Sequence, residues 1–159
     1  PYRQSTTEDL SIKENLYYSD LDINARLLLR TNQVALTHRC LYLYRRNPDS
    51  AMSLWDDKRL DVLRVTEWIE ADASSRHNPS LLAAAKDRRL SACFNMYALC
   101  SSHQRHTMAN LCWTEIKRLR RDSLTNSSVR WRNRVAAAVS YLGPTVLRYL
   151  GEAFYRNQS

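Results

Sequence analysis

Apolar residues recur with a helical period over most of the chain. Leu29, Leu36 and Leu43 fall seven apart, as do Leu27, Val34 and Leu41, and the two rows predict one apolar stripe on a helix over residues 20–46. On that helix Leu43 faces inward, while Arg45 and Arg46 lie at or past the edge of the stripe. Ser19 or Asp20 is the expected cap, and residues 1–19 read as an extended arm. The pattern stops at Asn47-Pro48-Asp49-Ser50, because Pro48 lacks a backbone N–H and disfavours helical geometry at Asn47. A short helical stretch over 51–55 follows the break.

A second helix is predicted over 57–73, with Leu60, Leu63, Val65, Trp68 and Ile69 inward. After a loop at 74–80, with Asn78 or Ser80 as cap, a third helix carries Leu81, Leu82, Ala85, Leu90, Cys93, Phe94, Tyr97 and Cys100 at helical recurrence. A fourth covers 107–121, with Leu111, Cys112, Ile116 and Leu119 as its apolar side. Beyond a polar linker at 123–128, a last stretch runs over 129–142 until Gly143-Pro144 ends or kinks it, and residues 145–155 resume the pattern.

Composition narrows the class. The chain has 159 residues, 44% of them hydrophobic, which is enough for one ordinary domain with a real core. Its two glycines and four prolines are too few to turn the corners of a β-sandwich or barrel, so the expectation is an all-α fold. The most apolar stretch, residues 135–147, is too short to span a membrane.

Charge points to partners. The formal net charge is +8, and the surplus gathers at Arg45/Arg46, Lys58/Arg59/Arg64, Lys86/Arg88/Arg89, Lys117 to Arg121 and Arg130/Arg132/Arg134. Such a surface attracts nucleic acid, an anionic membrane or an acidic protein, or is simply a solvated basic face. Reaction chemistry is poorly represented. Two glycines cannot build a phosphate-cradling loop, and Ser101-Ser102-His103 are helix neighbours whose side chains do not face one another. Cys40, Cys93, Cys100 and Cys112 form no CxxC pair and read as reduced core thiols; a metal set of Cys100, His103, His106 and Cys112 lacks the tight pairing of a zinc site. Trp55, Trp68, Trp113 and Trp131 read as core or interface anchors. No catalytic residue, metal or resident cofactor is expected.

The triplet Leu43-Tyr44-Arg45, preceded by Leu36-Thr37-His38 and followed by Trp55, Leu63-Arg64 and Trp68, resembles the LYR-motif family of small mitochondrial helical proteins. Asn78-Pro79 before Leu81-Leu82, with Lys86 and His106, is similar to the start of helix three in LYR accessory subunits of respiratory complex I. The likeness covers about residues 20–106. Two positions depart from the family: Pro48 follows the triplet early, and Trp68 stands where a Phe is usual. The resemblance implies an LYR-type three-helix bundle over 20–106, preceded by an arm at 1–19 and followed by additional C-terminal helices over 107–159 that serve assembly contacts.

The function so implied is that of a non-catalytic accessory or assembly subunit on the matrix side of the mitochondrial inner membrane. Complex I is the expected assembly, and neighbouring subunits are partners alongside an acylated acyl carrier protein. Leu43, Tyr44, Arg45 and Trp68 then bind the carrier and its acyl chain, and Lys58, Arg59 and Arg64 form a basic docking rim. The acyl-phosphopantetheine comes from the carrier. Burying its hydrocarbon gains about 0.8 kcal/mol per CH₂. The alternative is a mitochondrial ribosome-associated or other RNA-binding helical subunit, using the arginine clusters at 117–121 and 130–134 on phosphates. A third reading rests on Arg39-Cys40 before an aliphatic and Tyr-rich run, which resembles the GINS replication-complex subunits.

Overall fold

The computed structural model describes residues 14–43, 56–127 and 129–156, with side-chain environments through residue 151. Among these the fold is all-α. In chain order they form α1 (Ser19–Arg30), a 3₁₀ turn (Asp57–Leu60), α2 (Asp61–Ser75), α3 (Pro79–Ser102), α4 (His106–Thr125), α5 (Trp131–Val139), a second 3₁₀ turn (Ser140–Leu142) and α6 (Pro144–Arg156). No described helix is long and apolar enough to cross a membrane. The compact units are Pro1–Val65 and Thr66–Ser159, and the border between them falls inside α2.

In the first unit α1 is much shorter than its apolar period predicts. Its cap position is Tyr18, in left-handed geometry at φ 65°, rather than Ser19 or Asp20, and no side chain caps it. Asp20 and Asp22 in the first turn and Arg30 in the last complement the helix dipole. Thr31 ends the helix: its hydroxyl donates to the Leu27 carbonyl at 2.7 Å, its N–H to the Leu28 carbonyl at 3.3 Å, and its own backbone is extended. Thr31 and Asn32 then place two weak helix formers at the point where helix must continue. Residues 31–43 are not helical, and every one of them is exposed. The helix expected over 20–46 therefore stops at residue 30; Tyr44, Arg45, Arg46, the Pro48 break and the stretch at 51–55 lie outside the described residues. Elsewhere in this unit the Tyr17 N–H donates to Asp61 at 3.2 Å and its hydroxyl to Asp56 at 3.0 Å, which ties the approach to α1 to the first turns before and within α2.

The second unit is built around α3. Asn78 caps it, accepting from the N–H groups of Ser80 and Leu81 at 3.0 and 3.2 Å, with Pro79 in the first helical position where its missing N–H costs nothing. Leu90, Cys93, Met96, Tyr97 and Cys100 are among its buried residues, because α3 meets α4, α5 and α6 on different sides. On α4 the buried residues Ala109, Cys112, Ile116, Leu119 and Ser123 recur at three- and four-residue steps, which gives one stripe against α3; Leu111, expected on that side, is exposed. Gly143 takes φ 107° to end the 3₁₀ turn before Pro144, where the glycine-proline break was predicted. Gly151 is required for another reason: a β-carbon there would stand 2.8 Å from Ala98 Cβ, so α6 crosses α3 closely at this point.

Candidate docking surfaces

In the first unit the residues assigned to carrier binding show an arrangement unlike the predicted one. Leu43, expected to look inward, is 91% exposed at the end of the non-helical segment, and Leu36 is 83% exposed. Val34, Leu41 and Tyr42 are exposed with them. The periodicity that predicts a buried stripe is real in the sequence, but only its start is covered: Leu27 is buried, and Val34, Leu36, Leu41 and Leu43 are not. Lys58 and Arg59 sit in the 3₁₀ turn and Arg64 one turn into α2, so the three rim cations share consecutive turns. Lys58 Nζ lies 5.6 Å from the centre of the Tyr17 ring, and Arg64 reaches Asp61 only at 3.8 Å, its side chain largely in solvent. Asp56 anchors the turn. Hydrogen bonds from the Lys58 N–H and the Tyr17 hydroxyl hold its carboxyl below the usual range, and the same contact raises the Tyr17 phenol.

Trp68 belongs to the other unit and is half-buried on α2. The fully buried positions of that helix are Val62, Val65, Thr66, Ile69 and Ala73, so Leu60, Leu63 and Trp68 lie beside the stripe rather than at its centre. Beneath α2, Arg89 is 8% exposed and donates from Nε to Glu115 at 2.8 Å, with Glu70 at 3.3 Å; Arg118 grips Glu70 through two bonds at 2.9 and 2.8 Å. This network stitches α2, α3 and α4 together. Burial alone raises the Glu115 carboxyl, but hydrogen bonds from Arg118 and Arg89 outweigh it and leave its pKa below the usual 4.5; the Glu70 bonds raise that of Arg118.

Between α3 and α4 a cleft of about 260 Å³ has Leu82, Leu90, Leu119 and Val129 as its apolar lining, with Lys86 bonded to Asp122 at 2.6 Å. No histidine lines it, so Ser123 in its wall has no imidazole base there. Cys93, Cys100 and Cys112 are buried, whereas Cys40, expected in the core with them, is exposed on the non-helical segment. Burial pushes the Cys93 thiol up to about 12, and the Cys100 contact together with burial raises Cys112, so neither is a nucleophile near neutral pH. Among the described residues no three His, Cys, Asp or Glu side chains come together to hold a metal.

A second exposed surface lies on α5 and its flanks, within the residues 107–159 expected to serve assembly contacts. The buried side of α5 consists of Asn133 and Ala137, continued by Ser140, and Asn133 bonds both the backbone carbonyl of Asp87, at 3.1 Å, and its carboxylate. A small polar stripe faces the core. The large residues are consequently turned outward: Trp131 is 69% exposed and Leu142 70%, and Val135 and Tyr141 are more than half exposed. The signal was the 133, 137, 140 spacing of an asparagine, an alanine and a serine, which apolar patterning alone ignores. Arg120 lies 3.8 Å from the Tyr141 ring centre and 6.0 Å from that of Trp113, and its guanidinium donates to the Ser140 carbonyl at 3.0 Å. Arg132 stands 5.6 Å from the Trp131 ring, and Arg148 5.4 Å from that of Tyr149, which is 61% exposed.

Neither protein-family models, curated proteins nor solved structures give a match to this chain. The functional reading therefore rests on the chain's own chemistry and on the likeness carried by Leu43-Tyr44-Arg45.

Proposed function

We propose that this chain is a non-catalytic helical adaptor whose first unit docks an acidic partner, and that the partner is an acylated acyl carrier protein of a mitochondrial complex, respiratory complex I being the assembly to which the resemblance leads. One observation carries the docking reading: Val34, Leu36, Leu41, Tyr42 and Leu43 stand in water on one non-helical segment that ends with the first residue of the triplet. Large apolar side chains left uncovered together on one segment mark a surface that another molecule covers. Lys58, Arg59 and Arg64 supply the cations that steer a negatively charged partner. The identity of that partner comes from the Leu-Tyr-Arg likeness, with Tyr44 and Arg45 carried over from the motif.

The test is reconstitution with an acylated carrier protein, together with intact mass analysis of the native complex for a covalently acyl-pantetheinylated subunit. Because Leu43 makes almost no buried contact in the free chain, Leu43→Glu leaves folding intact and abolishes carrier retention. Wild-type retention by a folded Leu43→Glu protein, or a native complex without a pantetheinylated subunit, removes this function.

A further inference from the structure

We infer that the α4–α6 surface of the second unit is a binding site for single-stranded RNA, independent of the carrier reading. From residue 117 to residue 150 the chain has eight basic residues, Lys117, Arg118, Arg120, Arg121, Arg130, Arg132, Arg134 and Arg148, against one acidic residue, Asp122. Arg118 is neutralised by Glu70 and Glu115, and Arg130 by Asp87 at 2.9 Å. Lys117, Arg121, Arg132 and Arg134 are exposed, and no acidic side chain of α5 or of its 3₁₀ turn faces them, because these elements contain none. The occupant is therefore anionic.

The rings say which anion. Trp131, Tyr141 and Tyr149 are each more than half exposed, and each has a guanidinium within 5.6 Å of its centre. A flat apolar face beside a cation is what one nucleotide requires, stacking for its base and a positive charge for its phosphate. Two such pairs are sequence neighbours, Trp131 with Arg132 and Tyr149 with Arg148; at Tyr141 the cation is Arg120 of α4, stacked on one face of the ring. Trp131 and Tyr141 are ten residues apart along α5 and its 3₁₀ turn, roughly 15 Å at helical rise, so a strand must cover several nucleotides to reach both. On a membrane- or helix-binding face, charge borders an apolar stripe; here cation and ring alternate at the scale of single residues. Paired bases are already stacked within a duplex, so the rings select unpaired strands.

The probe is a fluorescently labelled twelve-nucleotide oligouridine, titrated with the full chain and followed by anisotropy, with a duplex RNA of equal length, poly-glutamate and phosphatidylserine vesicles as comparison ligands. The single strand binds at least tenfold more tightly than the duplex and the other polyanions, and its affinity falls with salt by about 0.7 in log–log slope per phosphate contacted. Trp131→Ala and Tyr149→Ala, made separately because both rings are exposed, each weaken it roughly fivefold or more with an unchanged circular dichroism spectrum. Quenching of tryptophan emission by the oligonucleotide, lost in Trp131→Ala, reports stacking directly. Equal affinity for duplex, poly-glutamate or vesicles overturns the proposal, as does single-strand binding that survives removal of both rings.

Discussion

Arg89 shows how much a single side chain holds in this fold. It is nearly buried on α3, and its guanidinium meets Glu115 on α4 and Glu70 on α2. Arg89→Met keeps the length of the stem and removes the cation, leaving the two carboxylates to share Arg118. The expected loss is about 1–3 kcal/mol by urea denaturation, since breaking a partly buried ion pair strands its partner. Its pH dependence has a definite sign. The folded Glu115 carboxyl titrates below its usual 4.5, so the stability it contributes is complete above that pH and disappears as acid carries the protein through the lower, folded value. The gap between wild type and Arg89→Met is therefore widest above pH 4.5 and narrows below it. A gap that is constant with pH would assign the loss to packing rather than charge.

Among the elements, those whose sequence carries both a period and local stop signals were legible. The third helix has Asn78-Pro79 to start it, and the structure caps it at Asn78; Gly143-Pro144 separates two helical stretches where predicted. The first helix has a period with a partner only at its start. Its two rows of apolar residues require a surface to pack on; Leu27 has one, but Val34, Leu36, Leu41 and Leu43 are exposed, so Thr31 closes the helix after Arg30 and residues 31–43 remain non-helical. Most helical stability in proteins comes from packing of an amphipathic face rather than from propensity. On α5 the apolar period leaves Trp131 as either a core or an interface anchor, and the fold decides it, because Asn133 bonds Asp87 and Trp131 and Val135 are turned outward. It follows that a partner which covers Leu36 and Leu43 restores the missing helix. Carrier binding should raise far-ultraviolet helical ellipticity by about ten residues' worth over the sum of the free components, in line with a helix continued along residues 31–43. Proline at Gln33 should abolish that gain and weaken binding, while the free chain, already non-helical there, keeps its spectrum. Full binding without a gain in helicity would mean that the segment docks as it stands.

At the scale of the whole molecule, a formal charge of +8 raises the question of whether any polyanion binds anywhere, and the two compact units allow an answer. Reversing Arg45, Lys58, Arg59 and Arg64 to Glu removes two charges at each position, which takes the chain from +8 to zero. Reversing Lys117, Arg121, Arg132 and Arg134 does the same to the net charge, at exposed positions of the second unit. Long-range attraction depends on net charge, but at physiological salt it is screened beyond about 8 Å, so local cations decide which partner is held. The first set should slow association with the carrier and flatten its salt dependence while leaving oligouridine affinity within about twofold. The second should do the converse. Single reversals in the first set will be mild, about 0.2–1 kcal/mol each, because exposed ion pairs contribute little individually. Stopped-flow association rates and anisotropy titrations on the two quadruple variants distinguish the cases: if both variants lose both partners in equal measure, the chain is a general polyanion binder, and neither surface has a partner of its own.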